Sequence, residues 1–122
     1  MRVPNHIGLA VRDPNHSLRF YRDTLGLEGS TRQEAYGFVI SAANGVELTL
    51  LSGRPPTDMG DFHLGLSVPT ASEVRALRDQ LGGLMVTEVE WWDEPDYVSV
   101  KVLDPDGYVV EICWDAKHRA AH

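Results

Sequence analysis

The chain spells out nearly the same message twice, and that repetition restricts its possible folds more than any other feature. Residues 6–11 read HIGLAV, and residues 63–68 read HLGLSV. Arg19-Phe20-Tyr21-Arg22-Asp23-Thr24-Leu25-Gly26 follows the first, and Arg75-Ala76-Leu77-Arg78-Asp79-Gln80-Leu81-Gly82 follows the second. Each copy then closes on a hairpin pattern: YGFVISAA, Asn44-Gly45 and VELTLL in one, YVSVKVLDP, Asp106-Gly107 and YVVEICW in the other. Asn-Gly and Asp-Gly tolerate positive φ at both central positions, which predicts two-residue hairpin turns. Strand, helix and hairpin recurring in one order, with matching residues, mark a duplicated unit.

Each unit reads as βαβββ. A first strand covers residues 3–11. Asp13 caps a helix with Pro14 in its first turn, where proline's missing N–H costs nothing. That helix runs to about Leu25 and stops at Gly26, which suits the left-handed position after a helix. The second helix opens on a capping box, Thr70-x-x-Glu73, and ends at Gly82-Gly83. One further short strand fits near Glu28–Gln33 and another near Val86–Trp91. The expected class is α+β: paired βαβββ modules whose eight strands form one curved mixed sheet with the helices outside. One domain would span 1–122, with module one at about 1–52, a linker at 53–60 around Pro55-Pro56, module two at about 61–115 and a polar tail at 116–122.

Composition narrows the partners. A chain of 122 residues fits one compact domain. No apolar run approaches the ~20 residues needed to span a bilayer, and the N-terminus, with Arg2 and His6, does not read as a signal peptide. The single cysteine, Cys113, excludes an internal disulfide and suits a reducing, cytoplasmic setting. A net charge of −7 spread along the chain argues against nucleic acid.

Side chains along a strand alternate between faces. Ile7, Leu9 and Val11 share a bulky face suited to packing under a helix, which leaves His6, Gly8 and Ala10 opposite. Leu64, Leu66 and Val68 repeat this against His63, Gly65 and Ser67. Each histidine therefore sits on a face stripped of bulk, whereas a core face would be filled to native density. In the last strands Val46, Leu48 and Leu50 face the core with Glu47 and Thr49 opposite; Val110 and Ile112 face it with Glu111 opposite, beside Val109 and Cys113. A carboxylate there needs a partner or solvent. Taken singly, each histidine reads as a strand-end hydrogen bonder and each glutamate as an exposed strand residue. Taken together, the duplication pairs His6 with His63 and Glu47 with Glu111, and a pseudo-twofold axis would gather all four. Two imidazoles and two carboxylates suit a divalent metal ion, whether nickel, cobalt, manganese, iron or zinc, with water completing the shell.

With His6 in NHIGLAV, Glu47 in VELTLL, His63 in FHLGLSV and Glu111 in DPDGYVVEI, the chain resembles the vicinal oxygen chelate superfamily from His6 to about Trp114. That superfamily includes glyoxalase I, fosfomycin-resistance thiol transferases, extradiol dioxygenases and bleomycin-resistance proteins; DPDG ahead of a strand glutamate is its best single marker. The resemblance implies paired βαβββ modules around a metal that chelates two vicinal oxygens of a small-molecule substrate. It implies His6, Glu47, His63 and Glu111 as metal ligands, a set that looks most like bacterial glyoxalase I. The transferases and dioxygenases use three ligands, corresponding to His6, His63 and Glu111. It further implies a homodimer with metal sites shared between chains, closure within one chain being the alternative. Where glyoxalase I usually carries glutathione-binding arginine and asparagine, this chain has Ala10 and Leu51, which disfavours a glutathione hemithioacetal. Where fosfomycin transferases usually hold the phosphonate with threonine, it has Gly8.

The leading expectation is a metal-dependent isomerase or lyase of glyoxalase-like type, working through an enediolate-type intermediate. Glu111, with Glu47 as its symmetry mate, is the candidate for moving the proton. Trp91, Trp92, Tyr97 and Tyr36 are candidate pocket walls, edge-strand packing being the plainer role for at least one tryptophan. Cys113 shares a face with Glu111, but a lone buried cysteine is more often a small hydrophobe. His16, His118 and His122 read as incidental. Two other classes stay open: a drug- or metabolite-binding protein without turnover, and a metal-dependent antibiotic-resistance thiol transferase.

Overall fold

The structure, a computed structural model, describes residues 1–117; His118, His122 and the end of the expected polar tail lie outside the described residues. The chain divides between Asp58 and Met59 into two compact units. The first contains β1 (His6–Val11), α1 (Pro14–Arg19) running on into a π-helical turn (Phe20–Thr24), β2 (Gly29–Glu34), β3 (Gly37–Ala42) and β4 (Glu47–Ser52). The second contains β5 (His63–Ser67), α2 (Ala71–Gly83), β6 (Glu88–Glu94), β7 (Tyr97–Leu103) and β8 (Val109–Asp115). Both are βαβββ, as expected, and the class is α+β. The eight strands hydrogen-bond as two four-stranded mixed sheets, ordered β1-β4-β3-β2 and β5-β8-β7-β6. In each, the first strand runs parallel to the last and the remaining pairs are antiparallel.

Local chemistry explains the helix ends. The Asp13 carboxylate accepts from the N–H groups of Asn15 and His16, at 3.1 and 3.3 Å, two of the donors a helix start leaves unpaired. The widened turn that follows, closed by Leu25 N–H to the Phe20 carbonyl at 2.8 Å, keeps Phe20 and Tyr21 both buried with their rings edge to face. In α2 the Thr70 hydroxyl accepts from Glu73 N–H at 3.2 Å. The helix ends at Gly83, but the left-handed residue beyond it is Met85, at φ +60, where Val86 N–H reaches back to Leu81.

One face of each sheet carries the core. Leu9, Val11, Ile40, Leu48 and Leu50 lie beneath α1, which packs on β3 and β4; Val98, Val100, Val102, Val110 and Ile112 lie beneath α2, which packs on β7 and β8. Val46, expected in the core, precedes β4 and is exposed. The hairpin turns also differ from expectation: positive φ occurs at Gly45 and Gly107 but not at Asn44 or Asp106. Ala42 N–H bonds the Val46 carbonyl and Asp104 N–H that of Tyr108, so both connections are three-residue loops with only the glycine left-handed. The Asp104 carboxylate stiffens the second by accepting from Asp106 and Tyr108 N–H. Among the described residues no helix is long and apolar enough to cross a membrane.

Candidate functional site

In the second unit the parallel register sets Gly65 opposite Glu111 and His63 opposite Val109, so Glu111 stands one same-face step from His63. Glu111 is only 9% exposed. Its Oε2 accepts from the hydroxyls of Ser99, at 2.6 Å, and Tyr97. Its Oε1 faces His63 Nε2 at 3.4 Å. The other ring nitrogen, Nδ1, lies 3.1 Å from the Asp61 carbonyl oxygen, which can only accept. In the neutral ring Nδ1 therefore carries the proton and Nε2 presents its lone pair. Two electron-pair donors then face each other, an arrangement that needs a proton or a cation between them. Burial first, and the bond to Glu111 second, push the Tyr97 phenol up to about 12, so it remains a donor at neutral pH. Burial, reinforced by the charge of Glu111, likewise raises the Cys113 thiol and disfavours thiolate chemistry there.

The first unit has a different arrangement. His6 lies directly opposite Glu47 in the parallel register, and its Nδ1 is 2.6 Å from the Asn5 side-chain oxygen. Glu47, however, is fully engaged. Arg32 donates to both its oxygens, at 2.8 and 3.4 Å, and the Ser41 hydroxyl adds 2.8 Å to Oε2. Those bonds, Arg32 first and Ser41 second, hold the Glu47 carboxyl below the usual carboxylate range. Arg32 also pairs with Glu34 at 2.9 Å. An open-mouthed cavity of about 390 Å³ is lined by His6, Gly8, Arg32, Tyr36, Glu47, Thr49 and Leu51, within the range of small-molecule sites.

The two units correspond through their equal loops and registers, which align Gly45 with Gly107. Glu47 then matches Val109, and the counterpart of Glu111 is Thr49. The expected pairing of Glu47 with Glu111 is therefore off by two residues, a displacement of about 6.6 Å along a strand. The spacing was present in the sequence: Glu47 stands two residues after Gly45, Glu111 four after Gly107. Trp92 and Tyr97 share the face of Glu111, Trp92 half exposed with its indole N–H on Glu90 at 2.8 Å. Trp91 lies on the opposite face beneath the Arg78 guanidinium, 4.2 Å from its carbon. Sequence reading missed Ser99, Arg32 and Ser41. Ser99 had a signal, a small polar residue interrupting the apolar run of YVSVKV.

Among the described residues no three His, Cys, Asp or Glu side chains converge; the second unit by itself brings together two donors, His63 and Glu111, whose chemistry fits a divalent cation. At a separation of 3.4 Å, His63 Nε2 and Glu111 Oε1 are close enough that both would hold one ion, which would supply Lewis-acid character there. The Asp61 carbonyl on His63 Nδ1 is the outer hydrogen bond that metal-binding histidines usually make.

Known structures share the fold. A glyoxalase/dioxygenase from Nostoc punctiforme matches with a TM-score of 0.79 at 22% identity, over 93% of this chain and 91% of that one. Lactoylglutathione lyase from Agrobacterium tumefaciens matches with 0.72 at 20% identity, over 93% of each chain. The fosfomycin resistance protein FosX from Listeria monocytogenes, complexed with Mn(II) and sulfate, matches with 0.80 at 16% identity, over 100% of this chain and 99% of that one. No curated protein sequence matches. The family model that matches, over residues 3–112, places the chain in the glyoxalase/bleomycin resistance protein/dioxygenase superfamily, to which it belongs.

Proposed function

We propose that this protein is a metal-dependent isomerase or lyase of glyoxalase-like type, acting on a small molecule with two adjacent oxygens. The observation that carries the reading is His63 Nε2 facing Glu111 Oε1 at 3.4 Å, each side chain anchored through its other polar atom. His63 and Glu111 are the proposed donors within the second unit, His6 is a further candidate donor, and a homodimer with shared metal sites is the proposed assembly. When bound, a divalent ion supplies Lewis-acid polarisation of the two substrate oxygens. Glu111 is also the candidate to take and return the proton; with Ser99 and Tyr97 on Oε2, it would do so through Oε1 while that oxygen is not bonded to the ion. Trp92 and Tyr36 offer apolar wall. Ala10 and Leu51 speak against a glutathione adduct, and the single Cys113 favours a cytoplasmic setting. Support for a metal and for lyase chemistry also comes from two fold neighbours, FosX in complex with Mn(II) and lactoylglutathione lyase.

The test is metal content by mass spectrometry on untagged protein, beside a His6→Ala/Glu111→Ala double variant. About one equivalent per chain, absent from the variant, supports the reading and justifies screening α-hydroxycarbonyl compounds with that metal. Protein that takes up no metal on titration overturns it in favour of ligand binding without turnover.

A further inference from the structure

We propose that Glu47 is not a metal ligand but the residue that positions Arg32 in the first unit's cavity; this rests on the metal-dependent reading above. Three observations converge. The first is register: Glu47 sits two residues, about 6.6 Å along the strand, from the place equivalent to Glu111, and that place holds Thr49. The second is occupancy. Among the described residues the two hydroxyls on Glu111 both bond Oε2 while Oε1 faces an imidazole, whereas both oxygens of Glu47 accept from Arg32 and one accepts from Ser41 as well. Bonding a metal would require displacing both arms of the guanidinium and the Ser41 hydroxyl from the carboxylate. The third is what that pair holds in place. Arg32 comes from β2, one strand beyond Ser41, and it would reach many positions if unpaired. Glu47 on one side and Glu34 on the other fix its planar fork at the cavity wall beside Tyr36 and Thr49.

Mn(II) alone is the probe, titrated calorimetrically into the full chain and read in parallel by electron paramagnetic resonance. Glu47→Gln and Arg32→Met should each bind within about threefold of the wild type with an unchanged Mn(II) spectrum, while Glu111→Gln should bind at least about a hundredfold more weakly. The Nη–H resonances of Arg32, the groups that donate to Glu47, should shift or vanish in Glu47→Gln and persist in Glu111→Gln, a signature that a purely structural role would not separate. Circular dichroism establishes that each variant is folded; Glu47 and Arg32 are both partly exposed. Loss of Mn(II) in Glu47→Gln to the extent seen in Glu111→Gln overturns this inference and leaves the metal-dependent reading standing. Failure of the wild type to bind overturns both.

Discussion

Glu111 and Glu47 are the same residue on corresponding strands, and their neighbours give them different work. A carboxylate with one oxygen tied by two hydroxyls keeps a single oxygen to offer, while one grasped by a guanidinium has none left over. Tyr97 is therefore as informative as Glu111 itself. Its phenol, pushed from 10.0 up to about 12, contributes stability that is fully present below pH 10 and is lost as pH rises through about 12. A difference titration of the wild type against Tyr97→Phe should show the missing phenolate appearing near pH 12, and a transition near pH 10 would mean that the phenol is neither buried nor held by Glu111. The same variant, like Ser99→Ala, leaves Glu111 freer to rotate. Each should weaken Mn(II) binding about 10- to 100-fold, as loss of an outer hydrogen bond to a ligand commonly does, and isothermal calorimetry checks it.

At the scale of elements, the end of α2 carries an evident strain. Met85 holds φ +60 and is 90% exposed, so no packing compensates for its left-handed backbone. That conformation costs a non-glycine residue about 1–2 kcal/mol, against about 0.5–1 kcal/mol of extra unfolded-state freedom that glycine brings. The strain outweighs the entropy, so Met85→Gly should raise the urea midpoint by a net ~0.5–1 kcal/mol of stability; a lowered midpoint would mean that Met85 packs in solution. The helix is also tied to β6 by paired contacts, Arg75 with Asp93 and Arg78 with Glu88. Hydrogen bonds to the arginines hold both carboxyls below their ordinary values. Their contribution is present above the unfolded carboxyl range and is lost as pH falls through the lowered one. Because the pairs are exposed it should be small and should disappear in high salt, as thermal melts at acid pH would reveal.

Much of this was written locally. The capping residues, the alternation of His6-Gly8-Ala10 against Ile7-Leu9-Val11 and the order of elements all follow from neighbours a few residues apart. The turns were misjudged because an Asn-Gly pair specifies a left-handed glycine without specifying loop length. The partners of the glutamates were harder to read, because Arg32 reaches Glu47 across an intervening strand and Tyr97 reaches Glu111 diagonally. Those contacts depend on register, and register is fixed by whole sheets rather than by any short stretch of sequence.

For the whole molecule, the duplication has kept one framework and let the two sites diverge. Both units present a histidine beside a glycine on the first strand, but only the second sets a carboxylate one step beyond it with an oxygen to spare. The division of roles predicts a linkage that involves the entire chain. A ligand that binds only the folded protein stabilises it by RT ln(1 + [L]/Kd), about 2.7 kcal/mol at a hundredfold excess over Kd. For a chain of 122 residues that should raise Tm by roughly 10 °C. Scanning calorimetry with Mn(II) at such an excess should show the rise in the wild type and in Glu47→Gln, and little or none in His63→Ala or Glu111→Gln. Metal binding must displace protons from its ligands, so the rise should shrink as the pH is lowered. A rise of equal size in Glu111→Gln would move the metal away from the β5–β8 pair, and the proton-moving role given to Glu111 would fall with it.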